Sequence, residues 1–124
     1  MAVSDDARSG TTPSPPLLEV SNRVVALHKR YYGKGPESTR VILHSDTLVV
    51  VLRGGFTRIE KTLVDEGLED QVLQQRRDLQ AVMEERYVDL VQTTLGREVE
   101  AFLSANHHDP DVQVEIFLLR PVDD

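Results

Sequence analysis

The chain has 124 residues, 14 Lys and Arg against 21 Asp and Glu, a net charge of -7 and no cysteine. That length supports one domain with its own core, and the missing cysteine excludes disulfides, zinc–thiolate sites and a thiol nucleophile. The acidic balance argues against nucleic-acid phosphates as partners and against docking on an anionic membrane by surface charge alone.

Residues 1–15 are rich in Ser, Thr, Gly, Asp and Pro and bury no apolar area, so they read as a disordered tail. The acidic start, with Asp5 and Asp6, lacks the basic-then-apolar layout of a signal peptide. No apolar run approaches the roughly 20 residues of a bilayer crossing, so no direct membrane insertion is expected. A single domain is expected over residues 16–121.

The first helix is expected from Pro16 or Leu17 to Tyr31. Leu17, Val20, Val24, Leu27 and Tyr31 recur at helical spacing, and Leu18 and Val25 widen the stripe. Gly33, Gly35 and Pro36 then end it, because glycine accepts the left-handed backbone that closes helices and proline lacks the N–H. A positive φ is expected at Gly35, and a β-branched residue there should strain the turn.

Residues 40–43 and 48–52 are β-branched runs joined by His44, Ser45, Asp46 and Thr47, which predicts an antiparallel hairpin. The second run is apolar on both faces. After Arg53, Gly54 and Gly55, the pair Thr57 and Glu60 matches a capping box that opens a short helix to about Asp65. The main helix should run from about Leu68 to Leu95 with Gly96 as its cap. Its stripe is Leu68, Val72, Leu79, Val82, Met83, Leu90 and Val91, with Leu73, Tyr87 and Leu95 at the margins. The stripe breaks at Gln75 and Arg76, which points to part of this helix leaving the core of its own subunit.

A C-terminal hairpin closes the chain, residues 99–104 and 112–119 around a polar loop. Val112, Val114, Ile116 and Leu118 alternate with Gln113, Glu115, Phe117 and Leu119, a period of two with one face buried. The fold class is therefore α+β in the order α-ββ-α-α-ββ: a four-stranded, mostly antiparallel sheet packed against helices, one of them long.

Three constellations resemble chemistry without forming it. His44, Ser45 and Asp46 hold the side chains of a hydrolase triad, but neighbours on a strand point to opposite faces. His107, His108, Asp109 and Asp111 read as a polar hairpin turn rather than a metal site. Gly33-Lys34-Gly35 follows a helix and opens a strand, the reverse polarity of a phosphate loop. Arg23, Lys29, Arg30, Lys34, Arg40 and Arg53 concentrate positive charge early in the fold. Lys29 and Arg30 suit the negative end of a helix dipole, while Lys34, Arg40 and Arg53 could face a small anion.

The stretch Tyr32-Gly33-Lys34-Gly35-Pro36 with Arg40 leading a strand, then Thr57 and Glu60-Lys61-Thr62-Leu63 before a long charged helix, and Leu95-Gly96-Arg97 before the last hairpin, resembles the MpsC-like family over residues 17–120. That resemblance implies an accessory or regulatory subunit, not an enzyme, associated with a sodium-dependent, membrane-potential-generating system linked to bicarbonate or inorganic carbon uptake. It implies a cytoplasmic protein, peripheral to the inner face of the membrane through a protein partner among the transporter subunits. It carries over no catalytic residue, metal or cofactor. Gly33, Lys34, Gly35, Pro36, Arg40, Arg53, Glu60 and Lys61 are the motif and candidate binding positions. The alternative function is a small-anion-binding sensor or regulatory module at the basic Gly-x-Gly-Pro turn. Unmatched apolar surface on the sheet and the length of the main helix predict a homodimer with Met83 near its seam.

Overall fold

The computed structural model describes residues 14–122. Its elements are α1 (Pro15–Tyr32), β1 (Ser38–His44), β2 (Thr47–Arg53), α2 (Arg58–Asp65), α3 (Glu69–Leu95), β3 (Val99–His108) and β4 (Asp111–Leu119). The two hairpins join through β2 and β4 into one antiparallel sheet of order β1-β2-β4-β3. The α+β class and the element order are those expected from the sequence. The expected tail lies outside the described residues, apart from Ser14 and Pro15.

Each element ends for a local reason. Gly33 closes α1 with φ 88 and donates its N–H to the Lys29 carbonyl at 3.0 Å. Thr57 and Glu60 form the expected capping box: Thr57 N–H donates to Glu60 Oε1 at 2.8 Å and Glu60 N–H to Thr57 Oγ1 at 3.2 Å. Gly96 closes α3 in the left-handed region. Ser45 and Asp46 make the β1–β2 turn, and Asp46 is tied to Arg97 by an ion pair of 2.5 Å.

The core lies between one face of the sheet and the helices. Leu48, Val50 and Leu52 of β2, Val41 of β1 and Phe117 and Leu119 of β4 pack on Val20, Val24 and Tyr32 of α1 and on Met83, Tyr87 and Val91 of α3. No described helix packs on the opposite face. There Val49 pairs with Ile116 and Ile42, Val51 with Val114, and Leu103 with Ile116, an apolar stripe that is only half-buried or, at Leu103, exposed.

Four details depart from the sequence reading. The β3 strand reaches His108, so the expected loop shrinks to a turn at Asp109 and Pro110. The α1 stripe rotates, burying His28 and Tyr32 while Leu18 stays half-exposed. The α3 stripe does not break: it runs Val72, Arg76, Gln80, Met83, Tyr87, Val91, with Arg76 inside and Val82 outside. Met83 is wholly buried within its own subunit, so it cannot sit at a seam between copies.

The turn chemistry also moves. Gly33 carries the positive φ, and Gly35 does not. A Cβ at Gly35 would rest at ordinary distance from Lys29 Cβ and Val25 Cγ1, both 3.8 Å away. Gly33→Ala is therefore expected to cost about 1 kcal/mol in urea unfolding, from backbone strain, whereas Gly35→Ala leaves the midpoint nearly unchanged. The reverse order of losses would contradict this turn geometry.

Candidate functional site

At the centre of the fold sits an arginine, Arg76, 1% exposed. A guanidinium removed from water needs its charge balanced and its five N–H groups bonded. Glu60 supplies the balance through two parallel bonds, Nε to Oε2 at 2.8 Å and Nη2 to Oε1 at 2.6 Å. Nη2 also donates to the Gly55 carbonyl at 2.9 Å and Nη1 to Gln113 Oε1 at 3.1 Å. The rings of Phe56 and Tyr32 lie 4.6 and 4.9 Å from its central carbon, where an aromatic face favours a cation.

One side chain thus joins every layer. Arg76 comes from α3, Glu60 from α2, Gln113 from β4, Tyr32 from α1, and Gly55 and Phe56 from the β2–α2 connection. The capping box fixes Glu60 at the N-terminal turn of α2, so its carboxylate serves the Thr57 N–H and Arg76 together. The connection is pinned again where Phe56 N–H donates to Asp111 Oδ2 at 2.7 Å.

Beside this knot, His28 stacks on Tyr32 with centroids 4.0 Å apart and places Nδ1 2.8 Å from the Lys34 carbonyl. Gly55 faces the ring; a Cβ there would lie 3.2 Å from His28 Cε1. Burial holds His28 neutral, its pKa lowered to about 4 despite the Lys34 contact. For Glu60, burial pushes the carboxyl up, but the bonds from Arg76 and Thr57 outweigh it and the net shift is downward. Burial raises the Tyr32 phenol to about 12. Gln113 passes the network inward, its amide donating to Glu115 Oε2 and, at 3.4 Å, to the Tyr32 hydroxyl.

A cleft of about 730 Å³ opens over the knot, walled by Tyr31, Ile59, Leu79 and Val82 with Glu60 and Arg76 among its lining residues. Ile59 is 73% and Val82 54% exposed at its rim.

The candidate positions read from the sequence do not all converge. Glu60 belongs to the knot. Gly33 lines the cleft and closes α1. Lys34 Nζ donates to the Gly54 carbonyl at 2.5 Å and lies 3.9 Å from Glu37. Gly35 and Pro36 carry the chain half-buried to β1, and Lys61 points to water on α2. Arg40 pairs with Val51 and Arg53 with Ser38, which puts both on the open face of the sheet. His107 and His108 lie at the end of β3, where His107 Nδ1 contacts the Pro110 carbonyl at 2.9 Å.

Residues 18–121 match the family model of MpsC, described as a Na+-translocating membrane potential-generating system. The chain belongs to the MpsC family. No curated protein and no solved structure matches it. MpsC is not a known enzyme family, and no described helix of this MpsC chain is long and apolar enough to cross a membrane.

The residues missed by sequence reading are Arg76, Gln113, Glu115 and His28. Arg76 had a signal, since it lies four residues from Val72 and seven from Met83, on the buried stripe of α3. Arg76→Met leaves the Glu60 carboxylate buried without its cation, so a loss of about 3–5 kcal/mol in urea unfolding is expected. Arg76→Lys should recover little, because an ammonium cannot form the paired bonds. Adding Glu60→Gln to Arg76→Met should restore part of the loss, and full additivity of the two losses would contradict the pairing.

Proposed function

We propose that this chain is a non-enzymatic accessory or regulatory subunit of a membrane ion-transport system, one coupled to inorganic carbon uptake. It works on the cytoplasmic side and reaches the membrane through a transporter subunit. The observation that carries this reading is the family match over residues 18–121. The geometry suits a scaffold: Arg76 is 1% exposed and its bonds tie α3 to α2, β4 and the β2–α2 connection, an arrangement that fixes shape. The test is a cell expressing the transport system with and without this chain, read by a potential-sensitive dye. Loss of the sodium-dependent potential on deletion is expected; an unchanged potential would contradict the role.

The same reading includes a homodimer formed through the open sheet face. Val49, Val51, Val114, Ile116 and Leu118 form a patch of the kind that partners cover. Light scattering should give about twice the 14.0 kDa chain mass, and Ile116→Asp should return it to the single mass without unfolding. A single mass at every concentration would contradict the dimer.

The second reading, a small-anion-binding module, draws on Arg40 and Arg53 sharing the open face near β1, with Lys34 on the adjoining turn. It predicts a rise in melting temperature with bicarbonate, phosphate or a nucleotide that is abolished in Arg53→Gln. No rise with any of them would contradict it.

A further inference from the structure

We propose that the buried carboxyl of Glu115 is a proton-operated lock between α3 and the β3–β4 hairpin, seating α3 as the neutral acid and loosening it as the carboxylate. Such a lock follows from position and charge and is independent of the transport role.

Glu115 is fully buried on the helix-facing side of β4. Across the ladder stand Val50 on β2 and Ser104 on β3, and the amides of Gln113 and Gln80 flank the same carboxyl. Oε2 accepts from Gln113. Oε1 makes no hydrogen bond, and neither do Ser104 Oγ, Gln80 Nε2 and the Tyr87 hydroxyl. The Ser104 and Tyr87 hydroxyls can accept a carboxylic O–H from Oε1, whereas the Gln80 amide N–H can only donate, to the carbonyl oxygen of that acid.

The charges around it do not balance an anion. From α1 the interior receives His28, held neutral, and Tyr32; from α2, Glu60; from α3, Arg76 and Tyr87. Neither β2 nor β3 places a titratable group opposite Glu115. Arg76 is the cation among them, and its two-point bond with Glu60 consumes its charge. Among the described residues Glu115 takes part in no ion pair. An ionised Glu115 would leave one uncompensated negative charge inside the fold, and a buried carboxyl avoids that by keeping its proton. Burial pushes its pKa up to about 7, against the opposite pull of the hydrogen bond from Gln113 and of the neighbouring Ser104 hydroxyl and Gln80 amide.

The sign follows from linkage. The folded pKa lies above the ordinary value of 4.5. Glu115 therefore contributes its full stability below about 4.5, loses it as pH rises to about 7, and changes nothing further above that. His28 runs the other way, because its folded pKa is below the ordinary 6.5; its contribution is complete above 6.5 and is lost as pH falls toward about 4. The two slopes oppose each other between 4.5 and 6.5, so the lock is hidden in the wild-type curve and must be isolated by difference.

Glu115→Gln mimics the neutral acid. Urea unfolding of both proteins from pH 5 to 8.5 should show similar stability near pH 5. Relative to the variant, the wild type should then lose at least about tenfold in its folding equilibrium by pH 8. A difference that does not change with pH would overturn the proposal. If the variant does not fold, carboxyl carbon NMR of glutamate-labelled wild type serves instead. One glutamate titrating near neutrality is expected, and all of them titrating in the usual acid range would overturn it. Amide exchange, corrected for its intrinsic pH dependence, should speed up in α3 around Gln80 and Tyr87 between pH 6 and 8 while β2 stays protected. Unchanged protection of α3 would overturn the lock.

Discussion

A guanidinium placed in a protein interior must be paired, and the positions of several elements follow from pairing Arg76. Its carboxylate partner has to arrive with both oxygens in the plane of the guanidinium. Glu60 does so because the capping box sets the first turn of α2, so a short helix of eight residues is held by a contact far stronger than its own helical tendency. The remaining donors recruit the Gly55 carbonyl and the Gln113 side chain. That explains why glutamine is buried on β4 while valines on the same strand face outward. A buried pair of this kind adds less stability than an apolar core of equal volume. What it supplies here is register: α2, α3, β4 and the end of α1 must meet in one arrangement for the bonds to close.

The interior around this pair is polar in gradation. Tyr32 bridges it to His28 by stacking, and Gln113 bridges it to Glu115. Toward Met83, Val91 and Phe117 the packing becomes wholly apolar. The two ends of α3 therefore have different physics. Its N-terminal half is positioned by directional hydrogen bonds and its C-terminal half by apolar contact, which is what allows a single carboxyl near the boundary to influence how the helix sits.

What the sequence disclosed was local. The capping box at Thr57 and Glu60 and the glycine cap at Gly96 depend on residues within a few positions, and both helix ends lie where the sequence reading put them. The hairpins were equally legible from β-branched runs and turn residues. Non-local choices were not. Alternation on β4 shows two faces but does not say which one meets the helices; the uniformly apolar set of Val112, Val114, Ile116 and Leu118 looks like the inner face, yet Gln113 and Glu115 turn inward with Phe117 and Leu119. Arg76 looked like a break in the α3 stripe because hydrophobic periodicity scores a charge as exposed. Only its pairing with a residue 16 positions earlier makes it a core residue. Gly35 misled for a related reason: two glycines flank Lys34, and only the backbone shows that Gly33 takes the left-handed conformation.

That the fold is organised around a buried Arg76 paired with Glu60 is tested most directly by hydrogen exchange at its side chain. The Nε–H of Arg76 donates to Glu60 inside the core, whereas Arg77, its neighbour in sequence, lies on the exposed side of α3. In nitrogen-resolved NMR the Arg76 Nε–H should exchange only as fast as the protein unfolds, with protection matching the slowest backbone amides of β2 and β4. Exchange of the Arg76 Nε–H at the rate of Arg77 would show that the guanidinium reaches water in the native state, and would contradict the account.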